Sequence, residues 1–294
     1  MVRSYAIIQA PSHLGLRAAG VEQLPRALLD AGLAKRLNAR IAALLPVPHY
    51  DPRIDPDTQI LNPTALRDYS FLLADAVGSA LDRGDFPIVL GGDCTILLGS
   101  ALALKRRGRH GLLFLDGHAD FYHPEAEPTG EGASMDLAFV TGRGPEIVTN
   151  LEDRSPLIRD EDAVLFAFRD AEHAAAEGSQ PVPPTLMAMD LKTVRKRGVE
   201  GAAREAMDHL MREMGPAGFW IHLDVDVLDD AIMPAVDYRL PDGLSWAELI
   251  TVLRAAVAFD HAIGLDVTIF NPLMDSSNRL ALRLVDVLAE ALNQ

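Results

Sequence analysis

Apolar positions along this chain follow two rhythms. In the first, short runs are apolar at nearly every position: Tyr5-Ala6-Ile7-Ile8, Phe86 to Leu90, Leu112 to Leu115, Ala163 to Phe168, Thr185 to Met189, Phe219 to Leu223 and Ala262 to Val267. Runs of that length without polar alternation suit strands covered on both faces. In the second, apolar residues recur every three or four positions. Leu66, Tyr69, Leu73, Val77 and Leu81 form one such stripe, with Asn62 placed to cap, Pro63 in the first turn and Gly84 at the end. The same spacing predicts helices near residues 23–31, 95–106, 202–214, 245–258 and 277–292, and Ser245 with Glu248 makes a capping box ahead of the helix at 245–258. Buried strands alternating with helices predict an α/β fold, a three-layer α/β/α arrangement with a mainly parallel sheet. No repeat, low-complexity tract or linker interrupts the pattern, so residues 1–294 are expected to form one domain, a length that α/β folds commonly reach. The least regular stretch, 121–156, is rich in Pro, Gly and acids and is expected to be a loop beside the functional site.

Composition narrows the partners. The chain is 49% hydrophobic and 23% charged, an ordinary globular balance, and its net charge of −15 repels phosphate backbones and anionic lipid. Nucleic acid and membrane partners are therefore not expected. No apolar run approaches the ~20 residues that span a bilayer. Met1 to Ala6 lack the apolar region and cleavage site of a signal peptide, which points to the cytoplasm. The single cysteine, Cys94, rules out an internal disulfide.

Three segments carry candidate chemistry. Gly91-Gly92-Asp93-Cys94-Thr95 follows the strand at 86–90, where ligands of open α/β sheets gather. Alone it reads equally as a tight turn with a small core cysteine. Leu115-Asp116-Gly117-His118-Ala119-Asp120 ends the next strand. On an extended backbone, residues two apart share a face, so Asp116, His118 and Asp120 are expected to converge. His222-Leu223-Asp224-Val225-Asp226 likewise ends an apolar strand with two carboxylates. Buried acids need a cationic partner, and none of the three segments contains Lys or Arg. Divalent metal ions meet that need, and a carboxylate-rich set favours Mn²⁺ or a similar ion over a structural zinc. His222 shares strand parity with the two acids and reads either as a group orienting a ligand or as a core histidine.

These segments resemble the three signature motifs of the ureohydrolase (arginase/agmatinase) family, GGDH, DAHxD and SxDxDxxDP. Pro11-Ser12-His13-Leu14-Gly15, continuing through Gly20 to Pro25, is similar to the family's N-terminal loop, and Phe168-Arg169-Asp170 to its IGxRD strand end. The resemblance covers most of the chain and implies an arginase-like fold, a homo-oligomer (trimer or hexamer) and a small-molecule substrate. It implies two Mn²⁺ ions, with Asp116 and Asp224 shared, Cys94 and Asp120 completing one site, and His118 and Asp226 the other. Such a pair activates water for attack on a guanidinium or formimino carbon.

Several positions depart from that pattern. Cys94 replaces the usual histidine, so four Asp and a thiolate would oppose two dications with one negative charge in excess, weakening Lewis acidity and softening that site toward Zn²⁺ or Fe²⁺. Within the family a Cys here resembles the Nω-hydroxyarginine amidinohydrolases, as do Asp116-Gly117-His118, Trp220 to Asp224 and Pro241-Asp242-Gly243-Leu244. The family's HG pair falls near Gly132-Ala133-Ser134-Met135, where there is no histidine, leaving His123 and Asp120 as candidates for proton handling. Ile269 stands in Thr268-Ile269-Phe270-Asn271-Pro272 where the family has a guanidinium-binding Glu, which argues against plain arginine as substrate. Tyr122 and Glu172 are candidate substrate contacts. The expected activity is metal-dependent hydrolysis of a linear amidine-type C–N bond. Its rivals are a pseudoenzyme with a weakened metal site and a binding role, and a cysteine hydrolase using Cys94 with His118.

Overall fold

In the computed structural model, residues 3–17, 19–214 and 217–293 are described; Met1 and Val2, part of the N-terminal reading above, lie outside them. Eight strands form one sheet: β1 (Tyr5–Gln9), β2 (Arg40–Leu44), β3 (Phe86–Leu90), β4 (Gly111–Leu115), β5 (Ala163–Phe166), β6 (Met187–Met189), β7 (Phe219–Asp224) and β8 (Ala262–Thr268). Their order is β2-β1-β3-β8-β7-β4-β5-β6, and every pairing is parallel. The chain therefore builds both flanks of the sheet first and inserts β7 and β8 between β3 and β4 at the end. Parallel strands place all their carboxyl ends on one edge, so the exits of β3, β8, β7 and β4 are neighbours there.

Strand alternation divides the interior into two cores. Ile88, Leu90, Leu113, Leu115, Ile221, Leu223, Leu265 and Val267 face one helical layer, whereas Val89, Leu112, Phe114 and Trp220 face the other. Each fully buried Leu or Ile contributes about 1.5–3 kcal/mol. Trp220 lies flat against its β8 partner Gly264, where any side chain would collide with the indole ring. No described helix is long and apolar enough to cross a membrane.

The strand and helix expectations hold with local corrections. β2 carries no buried position, because it pairs on one side only at the sheet edge, and its pattern is correspondingly silent. β5 stops at Phe166 because Ala167 turns into the left-handed region (φ 73°). The helix expected near 202–214 begins at Val199, preceded by a separate helix Leu191–Arg197, with Gly198 (φ 75°) at the break. Asn62 precedes helix Pro63–Asp82 but does not cap it. Its side chain instead accepts from Asp51 N at 2.7 Å and donates to Leu14 O at 3.0 Å, pinning two loops. The Ser245–Glu248 capping box forms with both of its hydrogen bonds.

Candidate metal centre

Each strand exit presents its polar side chains through a tight turn. After β3, Asp93 accepts a hydrogen bond from Thr95 N at 2.9 Å and starts the short turn Cys94–Ile96. Gly92 allows this turn to approach the Ser12 backbone so closely that a Cβ would overlap Ser12 O. Cys94 Sγ then lies 2.8 Å from Asp224 Oδ2 and 3.2 Å from Thr268 Oγ1, joining the exits of β3, β7 and β8.

At β4 the strand ends at Leu115, so the alternation invoked for Asp116, His118 and Asp120 does not operate. They converge through a turn: His118 N donates to Asp116 Oδ1 at 2.6 Å, and Asp120 takes a left-handed conformation (φ 45°). At β7 the acid pair is likewise brought together by the short turn Val225–Val227, where Asp226 N donates to Asp224 Oδ1 at 2.7 Å. His118 Nδ1 sits 2.9 Å from Asp226 Oδ2, and Gly117 N donates to Asp226 Oδ1 at 3.0 Å, linking the exits of β4 and β7.

The ligand atoms of Asp116, His118 and Asp120 lie within 4.8 Å of one another, as do those of Asp116, Asp224 and Asp226. Asp116 thus belongs to both groups. Burial, then the charge of Asp226, pushes its carboxyl up to about 7. Burial and neighbouring acids hold Asp120 and Asp224 well above the usual carboxylate range, and burial with Asp224 raises the Cys94 thiol. Burial alone would raise Asp226 too, but the charge and hydrogen bonds of His118 carry it below its ordinary value. His118 in turn is raised well above the usual imidazole value by Asp226 and Asp116, against the effect of burial.

Arg169 is the guanidinium beside this cluster, and it does not pair with the carboxylates. It donates to backbone carbonyls, Asp226 O at 2.9 Å, Leu228 O at 3.1 Å, Leu240 O at 2.9 Å and Pro241 O at 3.0 Å. Among the described residues, no Lys or Arg forms an ion pair with Asp116, Asp120 or Asp224. Asp116 Oδ2, Asp136 Oδ2 and His222 Nε2 are buried without a hydrogen-bond partner. Crowded carboxylates, two of their oxygens without a hydrogen-bond partner, beside a thiol and an imidazole form a donor set that fits divalent cations.

Two polar groups behind the cluster were not visible in the motifs. Asp266, on β8, accepts from Trp220 Nε1 at 2.6 Å and pairs with His222 Nδ1 at 2.5 Å. Asp136 reaches the centre from the irregular stretch, at the start of a short helix, Asp136–Val140. His222 is fully buried, stacked on Phe114 at 4.6 Å between ring centroids, and Asp266 raises its pKa to about 9 despite the opposing effect of burial. Its Nδ1 is held by Asp266 while Nε2 points toward Asp136 at 3.9 Å, a geometry in keeping with an orienting role. The long acid-rich stretch contained no spacing to single out Asp136, and the β7–β8 pairing that joins His222 to Asp266 is a tertiary fact.

A cavity of about 510 Å³ opens onto the cluster, lined at its base by Cys94, His118, Asp120, Asp224 and Asp226. Tyr122 also lines it and donates to Glu177 Oε2 at 2.7 Å. His123 is half-buried and Glu172 exposed, and neither is part of the lining. On helix Ala171–Ala176 and its C-cap, His173 and Glu177 share the face toward the cavity, one turn apart, while Glu172 projects from another face. Ile269 lines the cavity in a left-handed conformation (φ 70°), unusual for a β-branched residue.

Fold and site together define an α/β protein with a buried carboxylate cluster suited to divalent cations at the carboxyl edge of its sheet. The chain belongs to the arginase family, whose model matches residues 3–293. It is 29% identical to the arginase of Staphylococcus aureus (strain COL) over 294 residues, covering 96% of this chain and 94% of that protein. The arginase of Bacillus caldovelox, in its native structure at pH 5.6, superposes with a TM-score of 0.88 at 25% identity over 99% of both chains. Proclavaminate amidino hydrolase from Streptomyces clavuligerus shares the fold with a TM-score of 0.68 at 19% identity, over 99% of this chain and 91% of that one. The family and fold inferred from the motifs are thereby borne out.

Proposed function

We propose that this chain hydrolyses a C–N bond of a linear amidine with the aid of two divalent cations, Mn²⁺ foremost. Asp116 and Asp224 would be shared between them, Cys94 and Asp120 would complete one site, and His118 and Asp226 the other. The observation that carries this reading is the set of buried carboxylates facing a cavity, to which no Lys or Arg among the described residues is paired. When bound, two such cations polarise water and lower its pKa. The protein's own groups do the rest: the cavity encloses the substrate, and Asp120, which lines it, handles the proton. His123, outside the lining, is left without that role unless its loop moves.

Ile269 argues for the kind of substrate. Two dications and an apolar wall offer a guanidinium no counter-charge at this position, the acids of the lining (Glu127, Glu131, Asp170 and Glu177) coming from other segments, and a buried cation left unpaired is costly. A neutral amidine, such as a hydroxyguanidine, escapes that cost, so plain arginine is not the preferred substrate. A cytoplasmic homo-oligomer, trimer or hexamer, remains part of the proposal, and sizing in solution checks the assembly.

The test combines elemental analysis with a substrate panel of hydroxyguanidines, guanidino acids and formimino compounds. Two metals per chain and chelator-sensitive turnover are expected. A chain holding one metal or none, without turnover, would favour a binding role instead. Turnover that survives chelation but not thiol alkylation would move the chemistry to Cys94.

A further inference from the structure

Asp136 is fully buried, and so are the four residues after it in its short helix, Leu137 to Val140. The carboxyl group is therefore held in place and cannot swing out to solvent. One oxygen accepts from Leu137 N at 2.8 Å; the other, Oδ2, has no partner. A ligand atom of Asp136 lies within 4.8 Å of ligand atoms of Cys94 and Asp120. The backbone ties the same two segments together, since Ala138 N donates to Asp120 O at 3.2 Å. Behind Oδ2, at 3.9 Å, stands His222 Nε2, itself without a hydrogen-bond partner and anchored through Nδ1 to Asp266.

We propose that Asp136 is an additional carboxylate ligand of the metal centre, on the side formed by Cys94 and Asp120. The inference rests on the two-cation reading above and extends it to a residue outside the three motifs. A buried carboxylate oxygen without a donor stays protonated or takes a positive neighbour, and a cation that displaces the proton satisfies it. His222 Nε2, at 3.9 Å, is too far to donate a hydrogen bond, whereas the ligand atoms of Cys94, Asp120 and Asp136 are close enough together to share one cation. The chemistry is consistent. Where a thiol replaces an imidazole, a further oxygen ligand restores hardness to that side and suits Mn²⁺. His222, held by Asp266, stands behind the carboxylate and limits how it can turn.

The experiment is a titration of the metal-free full chain with Mn²⁺ and, separately, with Co²⁺, whose thiolate charge-transfer absorption marks the step that involves Cys94. The wild-type chain is expected to bind two ions. In Asp136→Asn, which preserves size and shape, the step carrying the thiolate band is expected to weaken by about 100-fold or more, the upper end of what loss of even an outer partner costs, with the other step largely retained. Unchanged affinities in a folded Asp136→Asn chain overturn the proposal while leaving the two-cation centre standing. A wild-type chain that binds no metal overturns both. Should the variant fail to fold, a crystal structure of the manganese-loaded wild type decides: an Asp136 oxygen bonded to an ion supports the assignment, and one turned away from both ions removes it.

Discussion

Cys94 Sγ and Asp224 Oδ2 meet at 2.8 Å with both side chains almost wholly buried. That contact joins the turn after β3 to the last residue of β7, two elements far apart in sequence. Cys94 Sγ donates to Asp224 Oδ2 in this contact, and burial with the surrounding acids raises the thiol pKa. A cation arriving between them replaces that proton, so metal binding at this corner competes with protonation.

Cys94→His should therefore raise Mn²⁺ affinity, by about tenfold or more, equivalent to about 1.4 kcal/mol. A neutral imidazole needs no proton removed and adds no negative charge. Competition against a fluorescent chelator measures it, and equal affinities for the two proteins would count against the softness argument. In the wild type, Cys94 should also resist iodoacetamide at neutral pH in the folded state, because it is buried and protonated. Rapid alkylation coupled to loss of activity would instead favour the cysteine as nucleophile.

Asp224→Ala should abolish metal binding without harming the fold. The residue touches Cys94 and Asp226 and shares a ligand group with Asp116, so its loss removes an oxygen common to both ions. It also removes a buried acid whose charged form is disfavoured, so the thermal midpoint of the metal-free variant should equal or exceed that of the metal-free parent. Elemental analysis and a melting curve read the two effects separately. Retention of full metal content would show the ligand assignment to be wrong.

The metal-free protein should lose stability as pH rises. Asp116 moves from an ordinary value of 3.8 up to about 7 in the folded chain, and a raised pKa gives stability that is complete below the unfolded value and lost as pH climbs through the folded one. His222, raised to about 9, acts with the same sign at higher pH. Asp226, which is lowered, acts oppositely but only in acid, below its ordinary 3.8. Between pH 5.5 and 8.5 the midpoint should drop by roughly 4 °C or more, as expected for a loss on the order of 2 kcal/mol. Saturating Mn²⁺ should shrink or reverse that slope. A flat profile without metal would mean the acids are already neutralised by something within the chain.

Ile269→Glu should shift specificity toward guanidinium compounds. The side chain lines the cavity, and a carboxylate there adds a counter-charge at a position where the wild type has an apolar one, beyond the acids Glu127, Glu131, Asp170 and Glu177 already in the lining. A gain of about tenfold in kcat/KM for agmatine- or arginine-like substrates relative to hydroxyguanidines corresponds to about 1.4 kcal/mol, modest for a new charge pair in a partly enclosed site. An unaltered preference across the panel would remove Ile269 from the specificity argument.

Much of this was legible locally. Uninterrupted apolar runs marked the central strands because burial on both faces imprints itself residue by residue, as in Phe86–Leu90, which matches β3 at both ends. The acids at 116, 120, 224 and 226 stood out because charge at the tip of an apolar strand is costly without a partner. Edge strand β2, buried at no position, left no such imprint. Glu172 was the natural acid to choose beside Asp170, yet the turn of its helix brings His173 and Glu177 to the cavity instead.

The order of residues along the chain sets the alternation of buried strands and helices, the family, and the residue types that gather at the strand exits. Long-range packing places β8 between β3 and β7, setting Thr268 against Cys94 and Asp266 against His222. The same packing brings Asp136 to the centre from the irregular stretch and sets Arg169 on backbone carbonyls instead of the carboxylates. Periodicity and capping are set by neighbours a few residues away. Strand order and loop path are set by packing between segments more than a hundred residues apart, and no local pattern records it.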